Sequence, residues 1–95
     1  MDQAAQLHAI VDGRVQGVGF RYFVKNAAEE LSLTGWVRNK MDGRVEVLAE
    51  GPRVDLETLL DALRRGPRSG YVSEVKIDWN PASQIYTRFS VAPSE

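Results

Sequence analysis

Two segments of this chain place apolar residues at helical spacing, and each is flanked by segments in which apolar and polar residues alternate. Leu7, Ala9 and Val11 alternate with His8 and Asp12, which predicts a first strand. Phe20, Val24, Ala27, Ala28 and Leu31 then share one helical face. Residues 36–39 and 44–49 flank Asp42-Gly43, a hairpin signal, with Val45, Val47 and Ala49 on one face of the second arm. Gly51-Pro52 opens a second helix. Its Leu56, Leu59, Leu60 and Leu63 recur at i, i+3, i+4 and i+7, and Gly66-Pro67 ends it. Val75, Ile77 and Trp79 alternate with Glu74, Lys76 and Asp78 in a fourth strand. Residues 80–83 form a turn and 87–91 a short last strand.

The order is therefore β-α-β-β-α-β with a small extra strand. Helices with a single apolar stripe need one sheet face to cover. The expected fold is α+β: a ferredoxin-like two-layer sandwich, with an antiparallel sheet carrying both helices on one face. The first two strands then run the same way. The connection 13–21 and the hairpin 38–44 consequently fall at the same end of the sheet. At 95 residues the chain makes one domain, 1–95, with 1–6 expected to be loose.

Composition excludes more than it selects. A net charge of −1 favours neither nucleic acid nor an anionic membrane. There is no cysteine, so no thiol nucleophile, disulfide or thiolate metal site. No Ser-His-Asp set, metal-ligand cluster or paired carboxylate presents itself, and the one histidine, His8, reads as a sheet-face residue. No apolar run approaches membrane-spanning length, and no leader pattern opens the chain, so a cytoplasmic monomer is expected.

Chemistry concentrates in Gly13-Arg-Val-Gln-Gly-Val-Gly-Phe-Arg21, between the first strand and the first helix. The second helix obeys the helix dipole, with Asp55 and Glu57 near its start and Arg64 and Arg65 at its end. The first inverts it: Arg21 and Lys25 come early, Glu29 and Glu30 late, and no Ser, Thr, Asp or Asn precedes it as a cap. A bound anion would complete such an end. Glycines at 17 and 19 let backbone N–H groups converge on it, and the Arg21 fork can grip two phosphate oxygens. The plainer reading is a Gly-rich connection beside a solvated arginine. The string is neither a Walker A loop nor a dinucleotide fingerprint. The hairpin adds Arg38, Lys40 and Arg44 to Arg14, Arg21 and Lys25, against Asp12 and Asp42, so this end is expected to be basic. Asn39, whose amide donates and accepts, either shapes the turn or holds a water beside the anion. A reaction here would have no covalent nucleophile and would need a good leaving group.

Two motifs, Gly13–Arg21 followed by Phe23 and Ala27, and Gly35-Trp-Val-Arg-Asn39 with Asp42-Gly-Arg-Val45, closely resemble those of the acylphosphatase family in order and spacing. The resemblance runs across nearly the whole chain. It implies a ferredoxin-like α/β sandwich that hydrolyses small acyl phosphates to carboxylate and phosphate. It implies that Arg21 and the N–H groups of Val15, Gln16, Gly17, Val18, Gly19 and Phe20 bind the phosphoryl group, and that Asn39 orients the attacking water. It implies no metal and no cofactor. Inorganic phosphate would be a product ligand; no nucleic acid or membrane partner is implied. Lys40 departs from the small hydroxyl residue of many relatives, and Ala92–Glu95 runs past the last strand.

The rival is a non-catalytic ferredoxin-like module binding RNA or a regulatory anion. Gly17–Phe23 has the look of an aromatic RNA-binding motif, but that motif needs a strand, and here it falls at a helix start.

Overall fold

The computed structural model describes residues 3–95. In chain order the elements are β1 (Ala4–Arg14), α1 (Phe20–Glu30), β2 (Thr34–Asn39), β3 (Val45–Pro52), α2 (Arg53–Arg65), β4 (Tyr71–Pro81) and β5 (Phe89–Val91). The sheet order is β4-β1-β3-β2-β5. Within β4-β1-β3-β2 every pairing is antiparallel, as the ferredoxin-like expectation requires. β5 runs parallel to β2, so the complete sheet is mixed rather than antiparallel throughout.

The expected faces are present. Leu7, Ala9 and Val11 of β1, Val37 of β2, and Val45, Val47 and Ala49 of β3 are fully buried under the helices. Phe20, Val24 and Ala28 of α1, with Leu56, Leu59 and Leu63 of α2, fill the other side of the same core. β1 begins earlier than its apolar alternation does. Ala4, Ala5 and Gln6, part of the stretch expected to be loose, pair with Pro52, Gly51 and Glu50. Ladder hydrogen bonds can extend a strand where side chains carry no pattern. Met1 and Asp2 lie outside the described residues. β3 likewise continues through Gly51 and Pro52, and α2 starts at Arg53.

β1 and β2 both oppose β3, so both run the same way and finish at one end of the sheet. β4 starts at that end and finishes at the other. Residues 82–88 then carry the chain from one edge of the sheet to the opposite edge. Glu50 on the central strand β3 holds this crossing: its carboxylate accepts from Ser83 N, Ser83 Oγ and Gln84 N at 2.8–2.9 Å, and from Gln6 Nε2 at 2.7 Å. β5 returns along β2, bringing the last residues back to the end where β1 and β2 finish.

Candidate active site

The connection between β1 and α1 is pinned at alternate points. Val15 and Phe20 are buried to 1% exposure and anchor its two ends in the core. Gln16 Nε2 donates to Lys40 O at 2.8 Å and to Arg44 O at 2.9 Å, tying the loop to the β2–β3 hairpin. Ser69 Oγ, from the α2–β4 turn, donates to Val18 O at 2.9 Å. Between these pins lie Gly17 (φ 74°) and Gly19 (φ 77°), both left-handed, and a Cβ at either would meet nothing within 4 Å. The glycines thus shape the backbone and leave space beside it.

No N–H from Gln16 to Tyr22 has an acceptor among the described residues; Phe23 N is the first to bond, to Gly19 O at 3.0 Å. A helix start always leaves some N–H groups without intrahelical partners. Here the set is extended back through the loop. α1 has no acid in its first turn, whereas α2 carries Asp55 there and Arg64 and Arg65 in its last. Neither helix has a side-chain cap, so the inverted charge, not the missing cap, sets α1 apart. Arg21 stands half-buried in this first turn and forms no ion pair among the described residues.

Asn39 ends β2 opposite Val45, whose side chain faces the helices. By strand alternation Asn39 shares that face, toward the loop that Gln16 ties in. Its Oδ1 is buried with no hydrogen-bond partner. The turn is shaped instead by Asp42, which accepts from Arg44 N at 3.1 Å. Asn39 therefore does not serve as a turn former, and an unpaired buried acceptor is costly enough to point to a ligand or water.

The hairpin cations do not add to this site as their sequence positions suggested. Arg44 bonds Asp42 through both Nε and Nη2, at 2.9 and 2.6 Å, and this pairing holds the Asp42 carboxyl down at about 2. Arg38 pairs with Glu46 at 2.8 Å and with Glu95. Lys40 Nζ lies 3.9 Å from Glu46, and Lys25 pairs with Glu29 at 3.2 Å. Glu46 is 8% exposed, on the sheet face away from the helices, and His8 Nε2 lies 2.6 Å from it. Burial pushes the Glu46 carboxyl up, but the hydrogen bonds from His8 and Arg38 outweigh it and the net shift is downward. Of the six cations that the sequence placed in the loop, the start of α1 and the hairpin, Arg14 and Arg21 have no ion pair among the described residues.

Sequence reasoning missed Glu46 and Glu50, whose partners depend on strand register, and the side chain of Gln16, whose acceptors are backbone carbonyls across the chain. It also left open the role of Ala92–Glu95. Ala92 N donates to Val37 O, Glu95 N to Asn39 O, and Met41 N to Glu95 O, all within 2.8–2.9 Å, so this segment braces the Asn39 hairpin. The RNA-motif look of Gly17–Phe23 dissolves: Phe20 is a core residue and packs on Phe23 with ring centroids 5.9 Å apart. Among the described residues no group of three or more His, Cys, Asp or Glu gathers as a metal-ligand set, and no helix is long and apolar enough to cross a membrane.

The acylphosphatase family profile matches residues 7–91. The chain belongs to the acylphosphatase family. The acylphosphatase of Salinibacter ruber is 46% identical over 86 residues, 90% of either chain. The crystal structure of acylphosphatase from Bacillus subtilis superposes with a TM-score of 0.90 at 44% identity, over 93% of this chain and 98% of that one. An acylphosphatase from Coxiella burnetii gives a TM-score of 0.88 at 40% identity, over 95% and 94%. An acylphosphatase fold thus accounts for the whole sandwich, including the loop and the hairpin that meet through Gln16.

Proposed function

We propose that this acylphosphatase hydrolyses the carboxyl–phosphate bond of small acyl phosphates at the end of the sheet formed by residues 15–21 and Asn39. The carrying observation is the run of acceptor-free N–H groups from Gln16 to Tyr22, leading into a helix whose first turn holds Arg21. The N–H groups and the guanidinium bind the phosphoryl oxygens, and the helix dipole adds to their field. The orphaned Asn39 Oδ1 accepts a hydrogen bond from a water and holds it in line with the scissile bond. That water attacks phosphorus. The bond from phosphorus to the carboxyl oxygen breaks, a carboxylate leaves, and the water's proton passes to a phosphate oxygen. A carboxylate leaves without a strong general acid, so the step needs only positioning and charge stabilisation.

The reading takes the protein as a cytoplasmic monomer. Supporting the monomer, the free edge strand β4 carries Glu74, Lys76 and Asp78, charges that oppose pairing with another edge.

The test is turnover of a simple aryl acyl phosphate, followed by absorbance. Arg21→Ala and Asn39→Ala are each expected to lose about a hundredfold or more, the scale of removing one transition-state hydrogen bond. A folded wild-type protein without this activity would sink the proposal.

A further inference from the structure

We infer that Gln16 is a positioning residue, whose side chain sets the placement of Asn39 relative to the phosphate-binding loop. This rests on the proposed roles of the loop and Asn39. Gln16 is half-buried and lies in the loop itself, yet both of its side-chain N–H bonds leave the loop. They end on Lys40 O and Arg44 O, residues 24 and 28 positions further along the chain. Those same two carbonyls close the hairpin: Lys40 N donates to Arg44 O at 2.8 Å, and Gly43 N donates to Lys40 O at 3.2 Å. Gln16 is thus seated in the mouth of the hairpin, directly after Asn39.

The chemistry demands such a link. The phosphoryl group is gripped by one segment and its attacking water by another. A backbone shift of about 1 Å between two such segments is enough to cost on the order of a hundredfold in rate. β3 holds β1 in register with β2 only as far as Val11 opposite Val45, and beyond that β1 pairs with β4 alone, so strand pairing does not fix the loop against Asn39. The amide nitrogen carries two donors and so spans the two carbonyls, whereas a carboxylate of the same shape would face them with oxygens.

Gln16→Met keeps the length and removes both donors, and Gln16→Glu keeps the shape and reverses the polarity. Both are compared with wild type and with Asn39→Ala. Turnover is measured with an aryl acyl phosphate, inhibition with inorganic phosphate, and folding by urea unfolding. The loop N–H groups and Arg21 stay in place, so phosphate inhibition of Gln16→Met should hardly change. Its kcat should fall by about tenfold to a hundredfold. Gln16→Glu should fall at least as far. Gln16→Met combined with Asn39→Ala should be no slower than Asn39→Ala alone, because the glutamine acts through the asparagine. Unchanged kcat in both folded single variants would overturn the inference. So would multiplying losses in the double variant, or a phosphate affinity that falls in step with kcat, as in a merely unstable loop. Full activity in Asn39→Ala would overturn the proposed function and this inference together. An impaired Asn39→Ala with multiplying losses would overturn this inference alone.

Discussion

Lys40 follows Asn39 in sequence, yet its ammonium lies 3.9 Å from Glu46 Oε1, on the sheet face away from the helices. Adjacent residues at a strand end point to opposite faces. The asparagine is thereby turned toward the β1–α1 loop and the lysine away from it. The Lys40 cation is thus directed to a structural carboxylate. Lys40→Thr should therefore leave kcat and KM for an aryl acyl phosphate unchanged. It should cost less than about 1 kcal/mol of stability, the scale of a partly exposed pair. A tenfold rise in KM, equivalent to about 1.4 kcal/mol of lost binding, would show that the ammonium reaches the substrate.

Gly13 at the end of β1 and Gly17 in the loop are needed for different reasons. A Cβ on Gly13 would come 2.1 Å from Tyr71 O, where β1 bulges against β4. A Cβ on Gly17 would meet nothing within 4 Å, and only its φ of 74° resists substitution. Gly17→Ala should cost about 1 kcal/mol, the strain of a left-handed non-glycine residue, while weakening phosphate binding. Gly13→Ala should be the more destabilising of the two, because backbone has to move. Urea midpoints for both, with and without phosphate, check the ordering; a Gly13→Ala protein as stable as Gly17→Ala would refute it.

The fold was largely legible because burial follows local periodicity. The alternation of Val45, Val47 and Ala49 and the stripe of Leu56, Leu59, Leu60 and Leu63 name the buried faces directly. Ala4–Gln6 and Gly51-Pro52 have no such pattern, and their strand state comes from pairing with each other. At the site, the inverted charge of α1 and the positions of Arg21 and Asn39 could be read from sequence, because both depend on nearby residues and on topology. The basic hairpin could not. Whether Arg38 and Lys40 face a ligand or Glu46 depends on the register between β2 and β3. Gln16 was legible as a loop member but not as a tie, since its acceptors are carbonyls that any residue would supply.

Glu50 links stability to pH without touching the site. It is 4% exposed and holds the crossing 82–88 at the far end of the sheet. Burial raises its pKa, but the hydrogen bonds from Ser83, Gln6 and Gln84 outweigh it, and the net shift is below the ordinary 4.5. Glu46 shifts the same way. A carboxyl lowered in the folded state contributes stability above its unfolded pKa, and that contribution is lost as pH falls through the folded value. The unfolding free energy should therefore hold from neutral pH down to about 5 and then decline. Glu50→Ala should cost about 1–3 kcal/mol at pH 7, because the hydrogen bonds to a buried, charged acceptor are lost. It should show a shallower acid decline and keep wild-type kcat at pH 7. An acid decline as steep as wild type would mean that Glu50 carries none of the pH dependence.

On the proposed function, α1 begins with a cation against its own dipole because a bound anion completes that end. Phosphate titration of the urea unfolding midpoint in wild type and Arg21→Ala tests it most directly. Without phosphate, Arg21→Ala should be as stable as wild type or slightly more so, since an unfavourable charge leaves the helix start. With phosphate at about a hundred times its dissociation constant, wild type should gain about 2.7 kcal/mol, and Arg21→Ala should gain little. Equal phosphate stabilisation of the two proteins would show that Arg21 does not hold the anion.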